Sequence, residues 1–295
     1  MVTTQHELLP TFEPSANDLI ELALSQPLDR KIDVAVKTLQ MYEAQALRLS
    51  PDGYWLAYSG GKDSDVILEL AKMAGVKYRP VYNVTTIDAP ELVRYIKREH
   101  SEVEFQRAEH SLLHALVNDP LAGGPPTRLA RWCCRIYKEQ GGAGTVKMVG
   151  VRVEESTRRR GLWKTCQPHR AKTGGAIVCP IVYWTEADVW CFHALRGIPH
   201  CELYDEGFKR LGCIGCPLAG PTQQRRTFDR WPKYEAAWRR AFDRLWDKWH
   251  GVPTRKGKRR WFEDFGSAQG LWDWWISGKA AEGDDGGCQM NLFEY

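Results

Sequence analysis

An apolar run at residues 54–58 breaks at Ser59 into Gly60, Gly61, Lys62, Asp63 and Ser64, and helix-forming residues follow at once. A strand that stops there and a helix that starts near Asp63 leave a loop whose backbone N–H groups have no partner in regular structure. That is a cradle for an anion. The glycines remove the Cβ atoms that would hold a phosphate away, Lys62 adds charge, and Ser59 and Ser64 add hydroxyls. Phosphate is the expected ligand of residues 59–64. A plain strand-to-helix turn is the alternative that two glycines alone leave open. The spelling is neither the nucleoside triphosphate loop G-x-x-x-x-G-K-S/T nor the dinucleotide fingerprint G-x-G-x-x-G.

The rest of the first half alternates. Residues 17–48 read as two helices with Asn17 as a cap. Then follow a helix at 63–74, a strand at 77–84, a helix at 89–100, a strand at 103–108 and, after a gap, a strand at 145–153. Alternation with short links predicts an α/β fold, a parallel twisted sheet with helices on both faces. Ligands of such sheets sit beyond the carboxyl ends of the strands, where residues 59–64, 83–88 and 150–152 are expected. Asp88 reads equally as a nucleotide contact and as a helix-start residue. The glycine- and proline-rich stretch 121–130 reads as a lid or as a linker.

The 295 residues, 43% hydrophobic, suffice for one core and an added C-terminal lobe. No run reaches the roughly 18 apolar residues of a membrane span, and the first residues lack a signal peptide's pattern. A cytoplasmic protein without a membrane partner is therefore expected. Nine cysteines in a reducing compartment point to metal or redox chemistry rather than disulfides. The net charge of +4 decides nothing about nucleic acid.

Cys213 and Cys216 form a C-x-x-C turn, and Cys133 and Cys134 stand adjacent upstream. The turn alone suits a redox pair, a zinc half-site or a cluster half-site. Adjacent residues direct their side chains apart, which makes Cys201 a rival for the fourth ligand. The expected metal set is Cys133, Cys201, Cys213 and Cys216, with Cys134 as the alternative. Cys166, Cys179 and Cys191 read as small buried hydrophobes.

These motifs together resemble a known family. "SGGKDS" resembles the pyrophosphate loop of the ATP pyrophosphatases and their relatives the sulfonucleotide reductases, the phosphoadenosine phosphosulfate reductase family. "GVRVEESTRRRG" at 150–161 and "PIVYWTEADVW" at 180–190 resemble further motifs of it, in the family's order. The resemblance runs from about residue 50 to 220 and implies an adenine nucleotide alpha hydrolase-like fold. It also implies nucleotide binding by Ser59, Gly60, Gly61, Lys62, Asp63, Ser64, Asp88 and Gly150, with Lys62, Arg152 and Arg158 as the working cations. The CC and CxxC pattern is similar to that of reductases with a 4Fe-4S cluster, although four thiolates also satisfy zinc; the reductase pattern uses the adjacent pair. Thr185 is expected to cap a helix beginning at Glu186.

The chain is read in three parts: an N-terminal helical segment (1–50), a nucleotide-binding domain with the cysteine site (51–220) and a helical basic and aromatic lobe with a tail (221–295). Residues 225–260 hold 13 lysines and arginines against 4 acidic residues, interleaved with Trp231, Trp238, Trp246 and Trp249, and Trp261 follows. Basic residues between aromatics suit a nucleic acid, DNA or tRNA, through residues 225–261. The alternative is an amphipathic hairpin, since Tyr234, Trp238, Phe242, Leu245 and Trp249 fall at helical spacing.

The resemblance implies an ATP- and Mg2+-using sulfur transferase, similar to DNA phosphorothioation and tRNA thiolation enzymes, supplied by a sulfur donor such as a cysteine desulfurase. A sulfonucleotide reductase forming sulfite is the second expectation. The reductase's Glu-Cys-Gly-Leu/Ile-His segment is absent, and Cys288 is its nearest counterpart. A nucleotide-sensing module is the third.

Overall fold

The computed structural model describes residues 15–119, 122–168 and 175–279. Its strands are β1 (Tyr54–Tyr58), β2 (Tyr78–Val84), β3 (Glu104–Arg107), β4 (Val146–Met148), β5 (Cys166–Pro168) and β6 (Ala176–Val178). Its helices are α1 (Ala16–Leu24), α2 (Leu28–Leu49), α3 (Lys62–Ala74), α4 (Pro90–Glu99), α5 (Leu112–Asn118), the single turn α6 (Trp132–Cys134), α7 (Thr157–Leu162), α8 (Glu186–Arg196), α9 (Pro221–Arg230), α10 (Pro232–Trp249) and α11 (Ala268–Ser277). The strands form one sheet in the order β3-β2-β1-β4-β6-β5.

The pairs β1–β4, β4–β6 and β2–β3 are parallel, and β5 pairs antiparallel with β6 at the edge. This is the expected α/β class. All three residues of β4 and of β6 are buried, as in a parallel sheet covered on both faces. The opposite edge, β3, is mostly exposed and carries Glu104, Gln106 and Arg107, which discourage pairing with another chain. The chain runs from β1 outward to β3 and then returns to the other side of β1, so β1 and β4 flank a switch point of the kind where α/β sheets bind ligands.

The chain divides into two compact units. The first comprises the chain to Ala57, Lys62–Arg79 and Gly144–Pro199. Here α2 packs on α3, and the buried Tyr54 hydroxyl donates to the Leu39 carbonyl at 2.6 Å. The cap of α1 is Ser15, not the expected Asn17. Ser15 and Asp18 form a reciprocal capping box, which Asn17 inside the first turn cannot make. Thr185 caps α8 as expected, again by a reciprocal box, with Asp188. The strand expected at 145–153 is only Val146–Met148, and a 3-10 turn at Val153–Glu155 occupies the end of the expected span.

The second unit comprises Tyr58–Gly61, Pro80–Ala143 and the chain from His200. Its core is aromatic: Trp238 and Trp275 lie 4.8 Å apart between ring centroids, and Phe242 sits 5.2 Å from both Trp272 and Trp275. Several indole N–H groups fasten other segments of the unit. Trp249 donates to the Val117 carbonyl, Trp261 to Gly123, Trp132 to Gly124 and Trp275 to Pro126. The described part of the 121–130 stretch is thus pinned at three carbonyls. The aromatic residues of the lobe follow the amphipathic alternative, with Trp238, Phe242 and Leu245 on the buried face of α10.

Among the described residues no helix is long and apolar enough to cross a membrane.

Candidate active site

Gly60 has φ +70°, and a Cβ there would lie 2.6 Å from Leu92 and 2.7 Å from Ile96. Only glycine fits, because the left-handed conformation and the packing both exclude a side chain. Gly61 is looser, with the Tyr204 hydroxyl 3.2 Å from its hypothetical Cβ. The Ser59 hydroxyl accepts a long bond, 3.4 Å, from the Gly61 N–H and so folds back on the loop.

In the first unit, α3 begins at Lys62 and brings two cations under cover. The Lys62 side chain is 4% exposed, with Nζ 3.7 Å from Asp63 and 3.6 Å from Glu186. The Arg152 side chain, equally covered, donates to Asp63 at 2.6 Å and to Glu154 at 2.7 Å. Glu154 in turn accepts from the Glu186 N–H at 2.6 Å, which ties the loop after β4 to the start of α8. Gly150 is required for close approach, since a Cβ there would meet the Asp63 carbonyl oxygen at 2.9 Å. Buried Ser64 lies one turn into the same helix.

Lys62, Asp63, Gly150 and Arg152 thus come together as one network. Arg158 lies on α7, whose cap is Ser156. Three participants were not singled out from the sequence: Glu154, Glu186 and His193, whose imidazole reaches the Lys62 carbonyl. Glu154 and Glu186 sat inside quoted motifs, but their partners are distant in the chain. His193 gave no local signal.

In the second unit, Asp88 is 7% exposed, and its two carboxylate oxygens accept from the Thr85 N–H at 2.8 Å and the Thr85 hydroxyl at 2.7 Å. Asp88 therefore shapes the loop after β2, where Thr86 holds φ at +69°. That loop bridges to Cys213, whose Sγ lies 3.4 Å from the Thr85 hydroxyl, and the Ile214 N–H donates to the Ile87 carbonyl.

Cys133 is hydrogen-bonded with Cys134 and feels the charge of Cys213 and Cys216, and Cys216 feels that of Cys213 and Cys134. The adjacent pair can act together because it lies in a helical turn, where neighbours are rotated by about 100° rather than set on opposite sides as in a strand. A π-helical turn, Arg135–Glu139, follows directly. Hydrogen bonding with Cys134 and burial push the Cys133 thiol up. The bond from Cys133 and the nearby Arg131 and Lys138 cations bring Cys134 below the usual thiol range. The Cys213 sulfur, with Asp88, Cys134 and Cys216, holds the Lys138 ammonium firmly protonated.

Cys201 is fully buried, and its charge is felt at Arg98. The charge of Cys134 is felt at Cys133 and at Cys216. Cys179 is buried and Cys166 half-buried, whereas Cys191 is exposed on α8 and is not the core residue expected. Cys288 lies outside the described residues. Among those residues no group of three or more His, Cys, Asp or Glu side chains is placed to hold a metal ion. By donor type, four thiols suit soft sulfur-linked chemistry rather than a hard cation.

The lobe's basic loop divides. Arg260 lies over the Trp249 ring at 4.2 Å and donates to the Val252 carbonyl, and Arg259 pairs with Glu263 and Asp264. Arg255, Lys256 and Lys258 remain exposed on a turn closed by the Thr254 N–H and the Lys258 carbonyl.

An uncharacterised protein of Methanocaldococcus jannaschii is 24% identical over 270 residues, which cover 85% of this chain and 53% of that protein. The chain thus spans about half the length of that relative. Adenosine 5'-phosphosulfate reductase 2 of Bacillus subtilis is 21% identical, covering 73% of this chain and 90% of that protein. Among solved structures, Candida glabrata FMN adenylyltransferase is similar with a TM-score of 0.45 and 16% identity, covering 68% of this chain and 69% of that one. The phosphoadenosine phosphosulfate reductase domain matches residues 53–219, from the start of β1 past the CxxC turn. That span is more than half of the chain and holds both the Lys62 network and the four thiols, and the chain belongs to the phosphoadenosine phosphosulfate reductase domain family.

Proposed function

We propose that the chain uses ATP to adenylate an oxygen of its substrate, releases pyrophosphate, and then replaces AMP by sulfur. The observation that supports this reading is the state of Lys62. Its ammonium is covered at the first turn of α3, beside the glycine loop, with Asp63 at 3.7 Å and Glu186 at 3.6 Å, so the cation is positioned where the loop's anion would sit. Arg152 is held at 2.6 and 2.7 Å by Asp63 and Glu154 and serves as a fixed positive wall.

The loop N–H groups of residues 59–64 receive the phosphates, which arrive with Mg2+ as part of the substrate. The substrate oxygen attacks the α-phosphorus and pyrophosphate leaves as Lys62 neutralises its charge. Arg158, on α7, is assigned to the nucleotide or the incoming substrate by its forked guanidinium. Sulfur at the sulfide level then displaces AMP; a persulfide donor such as a cysteine desulfurase supplies the atom and a thiol reductant the two electrons.

Cys133, Cys134, Cys213 and Cys216 would hold a 4Fe-4S cluster in this reading. When bound, it supplies a site that carries sulfur or braces the loops. Nucleic acid is the proposed acceptor, with Arg255, Lys256 and Lys258 as phosphate contacts.

The second reading is a sulfonucleotide reductase, favoured by the name of the Bacillus subtilis relative. Pyrophosphate release from ATP and Mg2+ by anaerobically purified protein, with and without nucleic acid, tests the first reading. Release should fall about 100-fold or more in Lys62→Ala and persist in Cys288→Ser. Absence of release, with sulfite formed from adenylyl sulfate in a Cys288-dependent way, would establish the reductase instead.

A further inference from the structure

The two loop residues Gly60 and Gly61 are glycines for different reasons. Gly60 adopts a left-handed φ and has carbons of Leu92 and Ile96 against its missing Cβ. Gly61 is not among the glycines of positive φ, so its backbone conformation is open to any residue. The atoms nearest to its missing Cβ are two hydroxyl oxygens, of Tyr204 at 3.2 Å and of Ser59 at 3.5 Å. Neither is a backbone atom, so packing does not demand a glycine either. What the glycine provides is bare backbone faced by two hydroxyl groups, and that lining suits the close approach of an oxyanion.

Tyr204 is held so as to keep its hydroxyl there. It ends the 3-10 turn Glu202–Tyr204, in which Leu203 is buried, as is Cys201 just before it. The Tyr204 N–H donates to the Cys201 carbonyl at 3.0 Å, and the Tyr204 carbonyl accepts from the Gly207 N–H at 2.9 Å. The His200 ring lies edge-on to the Tyr204 ring with centroids 6.3 Å apart, and its Nε2 stands 3.0 Å from the Asp205 carboxylate. A tyrosine has two side-chain torsions, so a hydroxyl carried on a fixed turn is presented at little entropic cost.

We propose that Tyr204 is a ligand of the anion bound by the glycine loop, its O–H donating to a phosphate or sulfate oxygen seated against Gly61. The Ser59 hydroxyl, which accepts from the Gly61 N–H, retains its own proton as a second donor. The proposal rests on the reading of residues 59–64 as the loop that receives the phosphates. No bond to hydrogen is broken; Tyr204 orients the oxyanion and keeps its proton.

The test is calorimetric titration of the full-length wild type and Tyr204→Phe with three probes: ATP and Mg2+, inorganic pyrophosphate and Mg2+, and adenylyl sulfate. The variant loses one oxygen and keeps the ring against His200. It should bind about 10-fold more weakly, the value of one hydrogen bond to a charged group, while its melting temperature without any probe stays that of the wild type. Weakening with ATP and pyrophosphate alone would place the contact on the departing phosphates. Weakening with adenylyl sulfate alone would place it on the sulfate, and equal weakening with all three on an oxyanion position that they share.

A Gly61→Ala background locates the contact. There, Tyr204→Phe should change affinity less than about 2-fold, because the methyl already excludes the oxyanion from the niche and the two changes act on one contact. Independent, multiplying losses in the double variant would place the hydroxyl away from Gly61 and overturn the proposal. Unchanged affinity of Tyr204→Phe for every probe that the wild type binds would overturn the role of Tyr204 alone, as would a loss of affinity matched by a fall in melting temperature without probe. A wild type that binds none of the three would overturn the proposal together with the reading of the loop.

Discussion

The imidazole of His193, on α8, lies 2.9 Å from the backbone carbonyl oxygen of Lys62, the first residue of α3. The ring is 4% exposed, and its other nitrogen stands 3.4 Å from the Ile198 carbonyl. A helix remote in sequence thus fixes the backbone that presents the loop's cation.

His193→Ala should therefore weaken ATP binding by roughly 10-fold, about the value of one lost buried hydrogen bond. Calorimetric titration with ATP and Mg2+ measures this. His193→Gln, which can still donate to the carbonyl, should recover most of the affinity. Equal loss in both variants would assign His193 to packing alone.

The two loop glycines should separate stability from binding. Gly60→Ala meets Leu92 and Ile96 and adopts a left-handed φ, so it should cost about 2–3 kcal/mol in urea denaturation. Gly61→Ala meets only the Tyr204 hydroxyl at 3.2 Å and the Ser59 hydroxyl at 3.5 Å. It should cost less than about 1 kcal/mol yet raise the ATP dissociation constant at least 10-fold, because its methyl occupies the cradle.

Acid should loosen the first unit through Asp188. Burial opposes ionisation there, but hydrogen bonds from Lys31 and Thr185 prevail and hold the carboxyl below its usual value. The Lys31 ammonium is 2.5 Å away, with the two side chains 5% and 16% exposed. A depressed folded pKa gives stability that is complete above the unfolded pKa near 3.9 and lost as pH falls through the folded value. Urea midpoints should accordingly fall below about pH 4, and Asp188→Asn should start lower at pH 7 and lose less on acidification.

The exposed turn carries a prediction about salt. Should nucleic acid bind through Arg255, Lys256 and Lys258, replacing all three by Ala should reduce the slope of log affinity against log salt by about 2.7 on duplex DNA. Fluorescence anisotropy across a salt series reads the slope directly. The tryptophans should contribute no base stacking, since Trp238 and Trp275 are buried against each other and Trp249 and Trp261 are tied to the carbonyls of Val117 and Gly123. An unchanged slope would remove this turn from any nucleic acid surface.

The local sequence was sufficient for features whose physics is local. The glycines and lysine of residues 59–64 specify a strand-to-helix turn because backbone sterics act within a few residues. The Thr185 box is legible for the same reason, since cap and acceptor lie three residues apart. Ser15 was missed although its own box was equally local. The short strands β5 and β6 left no periodic signal, because three residues are too few to show one. The sequence also could not choose between a lid and a linker for residues 121–130, whose described part is tied at three carbonyls by indole N–H groups. It gave no indication of Glu186 beside Lys62 or of His193 beneath it. Those outcomes depend mostly on contacts between residues far apart in the chain, and long-range packing, rather than local preference, sets which side chains share a buried space.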